Sequence, residues 1–122
     1  MSGSRFLLFA VLALLVATPA FSADITGTWT ASFDTQVGVQ NYTYTFKVEG
    51  NKLTGRAKSQ NGDTEITEGK VDGDTVTFVE NLNYQGMPLR IAYTGKISGD
   101  EIKLTRKVAD VATEELVAKR SK

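Results

Sequence analysis

The sequence predicts an all-β protein, an eight-stranded antiparallel up-and-down barrel. A short phrase occurs three times in the chain, as KVEGNKLTG from Lys47, KVDGDTVTF from Lys70 and KISGDEIKL from Lys96. In each copy a Gly followed by Asn or Asp, residues that tolerate positive φ, interrupts a run of alternating apolar and polar residues. The copies lie 23 and 26 residues apart, so each marks the tip of one hairpin in a meander.

Eight candidate strands extend outward from these tips and from the turns between them. The alternation within the second strand places Tyr42 and Tyr44 on one face and Thr43 on the other. The alternation slips after Ile66, which predicts a bulge at Glu68–Gly69. The predicted strands cover residues 25–33, 39–49, 52–59, 64–71, 74–84, 87–98, 101–108 and 113–120.

The last segment, ATEELVAKR, has a high helix propensity. We nevertheless predict a strand there, because a seven-stranded meander would leave two open edges. An antiparallel sheet of eight strands with one apolar face closes most simply into a barrel. A flattened sandwich is the alternative architecture.

The N-terminal residues are typical of a secretory signal. Arg5 precedes the apolar run FLLFAVLALLVA, and Ala20 and Ser22 supply the small residues of a cleavage site after Ser22 or Ala23. We therefore predict a cleaved leader over residues 1–23, one domain over residues 24–122, and a secreted or periplasmic protein. A retained anchor is the alternative, but the run is shorter than the roughly 20 residues of a membrane span.

The composition excludes several classes of chemistry and of partner. The chain has no His and no Cys, which removes disulfides, Ser-His-Asp and Cys-His nucleophiles, and His/Cys metal sites. We expect no cofactor and no metal. The 14 basic and 14 acidic residues balance, so we expect neither nucleic acid nor, after removal of the leader, a membrane as partner.

The opening phrase DITGTWT carries a resemblance to a known superfamily. Its Gly27-x-Trp29 on the first strand of an exported barrel resembles the signature of the calycins, which include lipocalins and avidins. In lipocalins that Trp lies across one end of the barrel and an Arg from the last strands packs on it. The resemblance implies that Trp29 and Arg106 close this barrel. Avidins have an Asn where this chain has Ala31, so biotin is not the expected ligand.

The GTW and KVDGD phrases are also similar to those of short exported bacterial domains associated with extracellular carbohydrate-degrading proteins. This second resemblance covers most of the chain after the leader in pattern. It implies that the partner is an extracellular enzyme, on which the protein docks as an accessory module.

Inward-facing aromatic and acidic residues form the candidate site. The barrel interior is either a core filled by these side chains or a cup for one small ligand. We predict non-catalytic binding of a small apolar or sugar-like ligand, with the accessory module as the first alternative. The second alternative is a hydrolase with Glu68 and Glu80 as catalytic carboxylates, which requires the two to lie about 5–10 Å apart. The candidate ligand-binding residues are Tyr42, Tyr44, Phe78, Glu80, Tyr84 and Tyr93.

Overall fold

The computed structural model describes residues 23–121. The predicted leader lies outside these residues apart from Ala23, so its removal stays a prediction. Among the described residues we find no helix with the length and hydropathy that a membrane crossing requires.

The described chain forms a closed eight-stranded barrel, which confirms the predicted fold and excludes the flattened sandwich. Each strand pairs antiparallel with the next, and the eighth pairs with the first. Every strand overlaps its predicted range. The strands are β1 Gly27–Thr35, β2 Gly38–Glu49, β3 Lys52–Ser59, β4 Gly62–Asp72, β5 Thr75–Tyr84, β6 Met87–Ser98, β7 Glu101–Val108 and β8 Ala112–Arg120.

The last segment is a strand despite its helix propensity. Residues of β8 pair with β7 along the whole strand, from Ala112 opposite Val108 to Lys119 opposite Glu101. Alternation fits this assignment, because Leu116 is buried while its neighbours in sequence are exposed. Tertiary pairing therefore overrides the local preference.

The barrel has two different ends, which we call the base and the mouth. The three repeated phrases form two-residue turns at the base, at Gly50–Asn51, Gly73–Asp74 and Gly99–Asp100, and both ends of the described chain lie there too. The three glycines have φ values of 65°, 61° and 61°, as expected at the first position of a type II′ turn. The turns at residues 36–37, 60–61, 85–86 and 109–111 surround the mouth.

The predicted bulge is present in β4. The register between β4 and β5 shifts between Thr67 and Lys70, and Glu68 has a φ of 53°. Gly69 follows directly, and the carbonyl of Leu53 lies where its Cβ would be. The bulge therefore combines a left-handed residue with a close approach of two strands.

Aromatic side chains fill the barrel interior, which decides between a filled core and a cup. A row of rings stacks along β1 and β2, with centroids 5.3 to 5.7 Å apart: Phe33, Tyr42, Tyr44 and Phe46. On the facing wall, Phe78 stacks on Tyr93 at 4.3 Å. These rings belong to the packed hydrophobic core of the barrel.

At the base, Trp29 is fully buried and its indole N–H donates to the carbonyl of Ile25 at 2.9 Å. The cation that lies over the indole is Arg120, with its guanidinium carbon 4.5 Å from the ring centroid. The prediction that Arg106 closes the base with Trp29 is therefore wrong. Arg106 lies near the mouth end of β7, whereas Arg120 is the ladder partner of Trp29.

Candidate ligand site at the barrel mouth

A network of hydroxyl groups surrounds the buried carboxylate of Glu80. Tyr42 and Thr64 donate to its Oε2 at 2.9 and 3.1 Å, and Tyr93 donates to its Oε1 at 2.8 Å. Tyr44 in turn donates to the hydroxyl of Tyr93 at 3.0 Å. The side chain of Glu80 is 1% exposed, so these donors replace the water that a carboxylate otherwise needs.

Burial also changes the pKa values of the tyrosines in this network. It raises the pKa of Tyr42, and raises the pKa values of Tyr44 and Tyr93 well above the ordinary value of 10.0. The nearby charge of Glu80 acts in the same direction, because a second negative charge beside it is unfavourable. The three tyrosines are therefore hydrogen-bond donors throughout the physiological range of pH.

Arg106 lies on the mouth side of this network. Its guanidinium carbon is 4.9 Å from the ring centroid of Tyr42, 5.2 Å from that of Phe33 and 5.7 Å from that of Tyr93. Its Nη2 donates to the Tyr42 hydroxyl at 3.3 Å, so Tyr42 links the guanidinium to Glu80. Burial opposes the charge of Arg106, but the neighbouring tyrosines and Glu80 outweigh it and raise its pKa. Arg106 is a permanent cation.

Glu114 is the ladder partner of Arg106 on β8 and lies beside it at the floor of the mouth. Arg106 Nε and Glu114 Oε1 are 3.4 Å apart, with side chains 5% and 11% exposed. Within the described residues, three buried atoms have no hydrogen-bond partner, namely Nε and Nη1 of Arg106 and Oε1 of Glu114. Burial raises the pKa of Glu114, although Arg106 opposes that shift. Nε and Oε1 are thus paired by charge without a hydrogen bond, and Nη1 is a buried donor without an acceptor.

A cavity of about 170 Å³ lies beside this pair, and both Arg106 and Glu114 contribute to its lining. Its walls are mostly aliphatic side chains, and Tyr84 lies among them. Three of the apolar side chains at the mouth are largely exposed, namely Val37 at 60%, Met87 at 62% and Val111 at 69%. The aliphatic wall residues are Leu82, Leu89, Ile91, Val108, Val111 and Ala112. The mouth therefore combines an apolar wall and rim with a polar floor.

The predicted ligand-binding residues fall into two groups. Tyr84 lines the mouth cavity, where a bound molecule would touch it. The others are at most 2% exposed and pack below the floor: Tyr42, Tyr44, Phe78, Glu80 and Tyr93. None of these five lines the mouth cavity, and Tyr42 and Tyr93 lie against the guanidinium of Arg106. Contact with a ligand stays a prediction for all six residues.

Sequence reasoning missed Glu114. The signal that could have found it is alternation in β8, where Ala112, Glu114, Leu116 and Ala118 share the inward phase. Glu114 is the only charged member of that set. A lone charge on an inward face indicates either a buried pair or a ligand contact.

The two carboxylates of the hydrolase alternative do not share a cleft. Glu80 points inward, whereas Glu68 is exposed and pairs with Arg90 on the outside, with Arg90 Nη2 3.0 Å from its Oε1. The barrel wall separates the two side chains. Glycoside cleavage needs two carboxylates flanking one bond, so this pairing is wrong.

No group of three or more acidic side chains within residues 23–121 is arranged to hold a metal ion. Comparison of the chain with protein-family models, with curated proteins and with solved structures finds no match.

Proposed function

We propose that the protein is a non-catalytic binding protein whose mouth takes a small uncharged molecule with an apolar body and a polar head. The observation that carries this proposal is a set of buried floor atoms that make no hydrogen bond within the described residues, Nε and Nη1 of Arg106 and Oε1 of Glu114. The ion pair between Nε and Oε1 offsets part of this deficit. Buried polar groups without partners are rare and costly in folded proteins. A head group that accepts from Arg106 and donates to Glu114 would satisfy both residues at once.

The chemistry of the floor selects the class of head group. A carboxylate ligand would satisfy Arg106 but would bring another negative charge close to Glu114, and an ammonium group would repel Arg106. A carboxamide or a hydroxyl both accepts and donates. These neutral heads match the floor best.

The size and lining of the cavity select the body of the ligand. A volume of about 170 Å³ suits one ring, since an apolar cavity of about 150 Å³ holds benzene. A sugar needs polar partners around its whole ring, whereas most of the wall is aliphatic. Of the two predicted ligand classes, the apolar one is therefore favoured. A longer ligand would extend between the exposed side chains of Val37, Met87 and Val111.

The predicted leader and the Gly27-x-Trp29 opening are compatible with this role. Both resemble features of lipocalins, so we propose a secreted or periplasmic lipocalin-like carrier. The accessory-module alternative stays a prediction, since it depends on a partner enzyme and not on the mouth.

A comparison of three ring compounds tests the proposal. Benzamide has the neutral head, benzoate has the anionic head, and toluene has no polar head. We expect benzamide to raise the melting temperature most, with a stabilisation of about 2.7 kcal/mol at a hundred times its dissociation constant. Toluene should bind at least about tenfold more weakly, because one hydrogen bond to a charged group is worth about 1.5–3 kcal/mol. Benzoate should also bind at least about tenfold more weakly, because its charge lies close to that of Glu114.

Two variants locate the binding. Ala112→Phe fills the cavity without touching the floor, and Glu114→Gln removes the charge that disfavours an anion. The first should abolish binding of benzamide, and the second should bring benzoate to about the affinity of benzamide. Arg90→Met, which removes an exposed guanidinium, is the matched control and should bind benzamide normally. Equal binding of all three compounds, or undiminished binding by Ala112→Phe, would refute the proposal.

A further inference from the structure

The seam where the barrel closes, between β1 and β8, is the shortest strand pairing among the described residues. Its ladder consists of two residue pairs, Trp29 with Arg120 and Thr30 with Lys119. In contrast, β1 pairs with β2 over the whole of β1. Beyond the two pairs, toward the mouth, β1 and β8 continue without a shared ladder. The seam therefore has a ladder at the base and none toward the mouth, although the two strands stay side by side. We call the part of the seam without a ladder the open side.

This open side leaves two rows of main-chain groups without ladder partners. One row is the β8-facing edge of β1 beyond Thr30, and the other is the β1-facing edge of β8 before Lys119. In an antiparallel strand, alternate residues direct their N–H and C=O groups to a given neighbour. Such rows are templates for the addition of another strand.

A groove of about 810 Å³ runs along the open seam. Its floor is formed by side chains that point into the barrel, Ala31, Phe33 and Leu116. Val117, 39% exposed, lies on its β8 wall. The groove thus has apolar side chains at its floor, polar side chains of β1 and β2 along its outer margin, and strand edges without ladder partners on both sides.

Charges along the groove differ between its two ends. Asp34 and Glu115 line it near the mouth, and Lys119 lines it near the base. All three are exposed. A segment would therefore bind in the groove more favourably if it carried a basic residue toward the mouth and an acidic residue toward the base.

We propose that this seam binds an extended peptide segment of a partner protein, which adds as a strand between β1 and β8. The main chain of another strand can pair with both rows of N–H and C=O groups that lack ladder partners. Strand addition is a general mode of peptide recognition. Apolar side chains at alternate positions of the segment would face Phe33 and Leu116. A basic residue at its mouth end would face Asp34 and Glu115.

The topology alone does not set the direction of the segment. β1 runs from base to mouth and β8 from mouth to base, so an inserted strand is antiparallel to one and parallel to the other. Antiparallel pairing is slightly more stable per residue. Either direction adds one antiparallel and one parallel ladder, so the charges at the ends of the groove set the orientation.

A second copy of this chain does not supply such a segment from its described residues. All eight of its strands are already members of a closed barrel. Among the described residues of the copy, the strand edges without ladder partners are those of its own seam. Pairing through them would require the wall of the copy's barrel to fit into the groove. The partner is therefore a chain with a free extended stretch.

The probe for this test is a seven-residue peptide, acetyl-Lys-Val-Thr-Val-Thr-Val-Glu-amide. Its binding is measured by amide hydrogen exchange of the whole protein. We expect alternate amides of residues 31–35 and 114–118 to exchange quickly without the peptide, and to slow by about tenfold or more at saturation. A control peptide with proline in place of the central Val cannot complete the ladders. It should bind at least about tenfold more weakly, since several main-chain hydrogen bonds are lost.

A charge variant gives a second readout. Asp34→Lys should weaken binding of the peptide about fivefold, as expected for one exposed charge pair worth about 1 kcal/mol. Glu49→Lys makes the same change of charge at the base of β2 and should leave binding unchanged. Benzamide should not displace the peptide, which separates this site from the mouth.

Three results would overturn the proposal. The first is the absence of peptide binding, and the second is equal binding of the proline peptide. The third is slow exchange of the seam amides in the protein alone together with dimerisation in ultracentrifugation, which would assign the seam to a second copy.

Discussion

Arg120 lies over the indole of Trp29, with its guanidinium carbon 4.5 Å from the ring centroid. The same guanidinium donates to the carbonyls of Thr26 and Asp24 at 3.1 and 3.3 Å, and its Nε donates to Asp100 at 3.0 Å. One side chain thus joins β8, the segment before β1 and a base turn. Because the β1–β8 ladder has two residue pairs, this cluster is the main side-chain fastening of the closure.

Arg120→Ala should lower the free energy of unfolding by about 2–3 kcal/mol, since a partly desolvated cation–π contact and several hydrogen bonds disappear together. Arg120→Lys should lose about half as much, because an ammonium cannot reproduce the planar fork. Urea unfolding followed by the fluorescence of Trp29 measures both. Arg56→Ala, which removes an exposed pair with Asp63, is the control and should lose less than about 1 kcal/mol. An equal loss in the control would contradict this role of Arg120.

Gly55 and Gly73 separate two reasons for glycine in this barrel. The carbonyl of Thr45 occupies the position of a Cβ on Gly55, which also has a φ of 153°. A Cβ on Gly73 meets open space, and only its φ of 61° is unfavourable. Gly73→Ala should therefore cost about 1–2 kcal/mol. Gly55→Ala should cost more than about 3 kcal/mol, because β2 and β3 must move apart. Chemical denaturation of both variants checks this order, and a reversed order would mean that the two strands are not in such close contact.

The fold could be predicted because its determinants are local. The Gly–Asn and Gly–Asp turns fix where strands end, and alternation fixes which side chains point inward. Even the bulge at Glu68–Gly69 is visible as a slip of phase. Each of these signals is contained in a short stretch of sequence, so it can be recognised without knowing which strands lie next to each other.

The site could be predicted only in part because it depends on contacts between distant strands. Alternation places Arg106 inward but does not set its height, so the cation over Trp29 was assigned to the wrong residue. Whether aromatic rings fill the interior depends on their summed volume across facing walls, which no single strand reveals. The unpartnered atoms of Arg106 and Glu114 arise from side-chain orientation on two adjacent strands.

Stability should fall steeply in alkaline solution. Burial raises the pKa values of Tyr42, Tyr44 and Tyr93 above the ordinary 10.0, so above pH 10 the folded protein keeps protons that the unfolded chain releases. The stability that these groups contribute is complete below that pH and is lost as the pH rises further. Each contributes a slope of up to about 1.4 kcal/mol per pH unit.

Urea midpoints measured from about pH 9 to about pH 11.5 test this dependence. Tyr42→Phe removes one of the three groups and should reduce the slope by about one third. The comparison is made on slopes, so a change in the absolute stability of the variant does not disturb it. The same slope in Tyr42→Phe and the unaltered protein would show that Tyr42 ionises equally in both states.

The hydroxyl network around Glu80 should behave as a unit. Tyr42→Phe and Tyr93→Phe each remove one donor to the carboxylate, and each should cost about 1.5–3 kcal/mol, the value for a hydrogen bond to a charged group. With both removed, Thr64 is the remaining hydroxyl donor to Glu80. The double variant should then be less stable than the sum predicts, by about 0.5–3 kcal/mol, because the first loss makes the second donor more important.

Glu80→Gln tests whether the charge of the carboxylate is the reason that the hydroxyl network behaves as a unit. The amide keeps the volume, but its NH₂ group faces a hydroxyl that must turn to accept, so a loss of about 2–3 kcal/mol is expected. In the Glu80→Gln background, Tyr93→Phe should cost about half as much as in the unaltered protein, since the acceptor is no longer charged. Glu65→Gln, on the exposed face of β4, is the control and should change stability by less than about 0.5 kcal/mol. Strictly additive losses, undiminished by Glu80→Gln, would mean that the tyrosines stabilise the core by packing alone and that the carboxylate does not organise them.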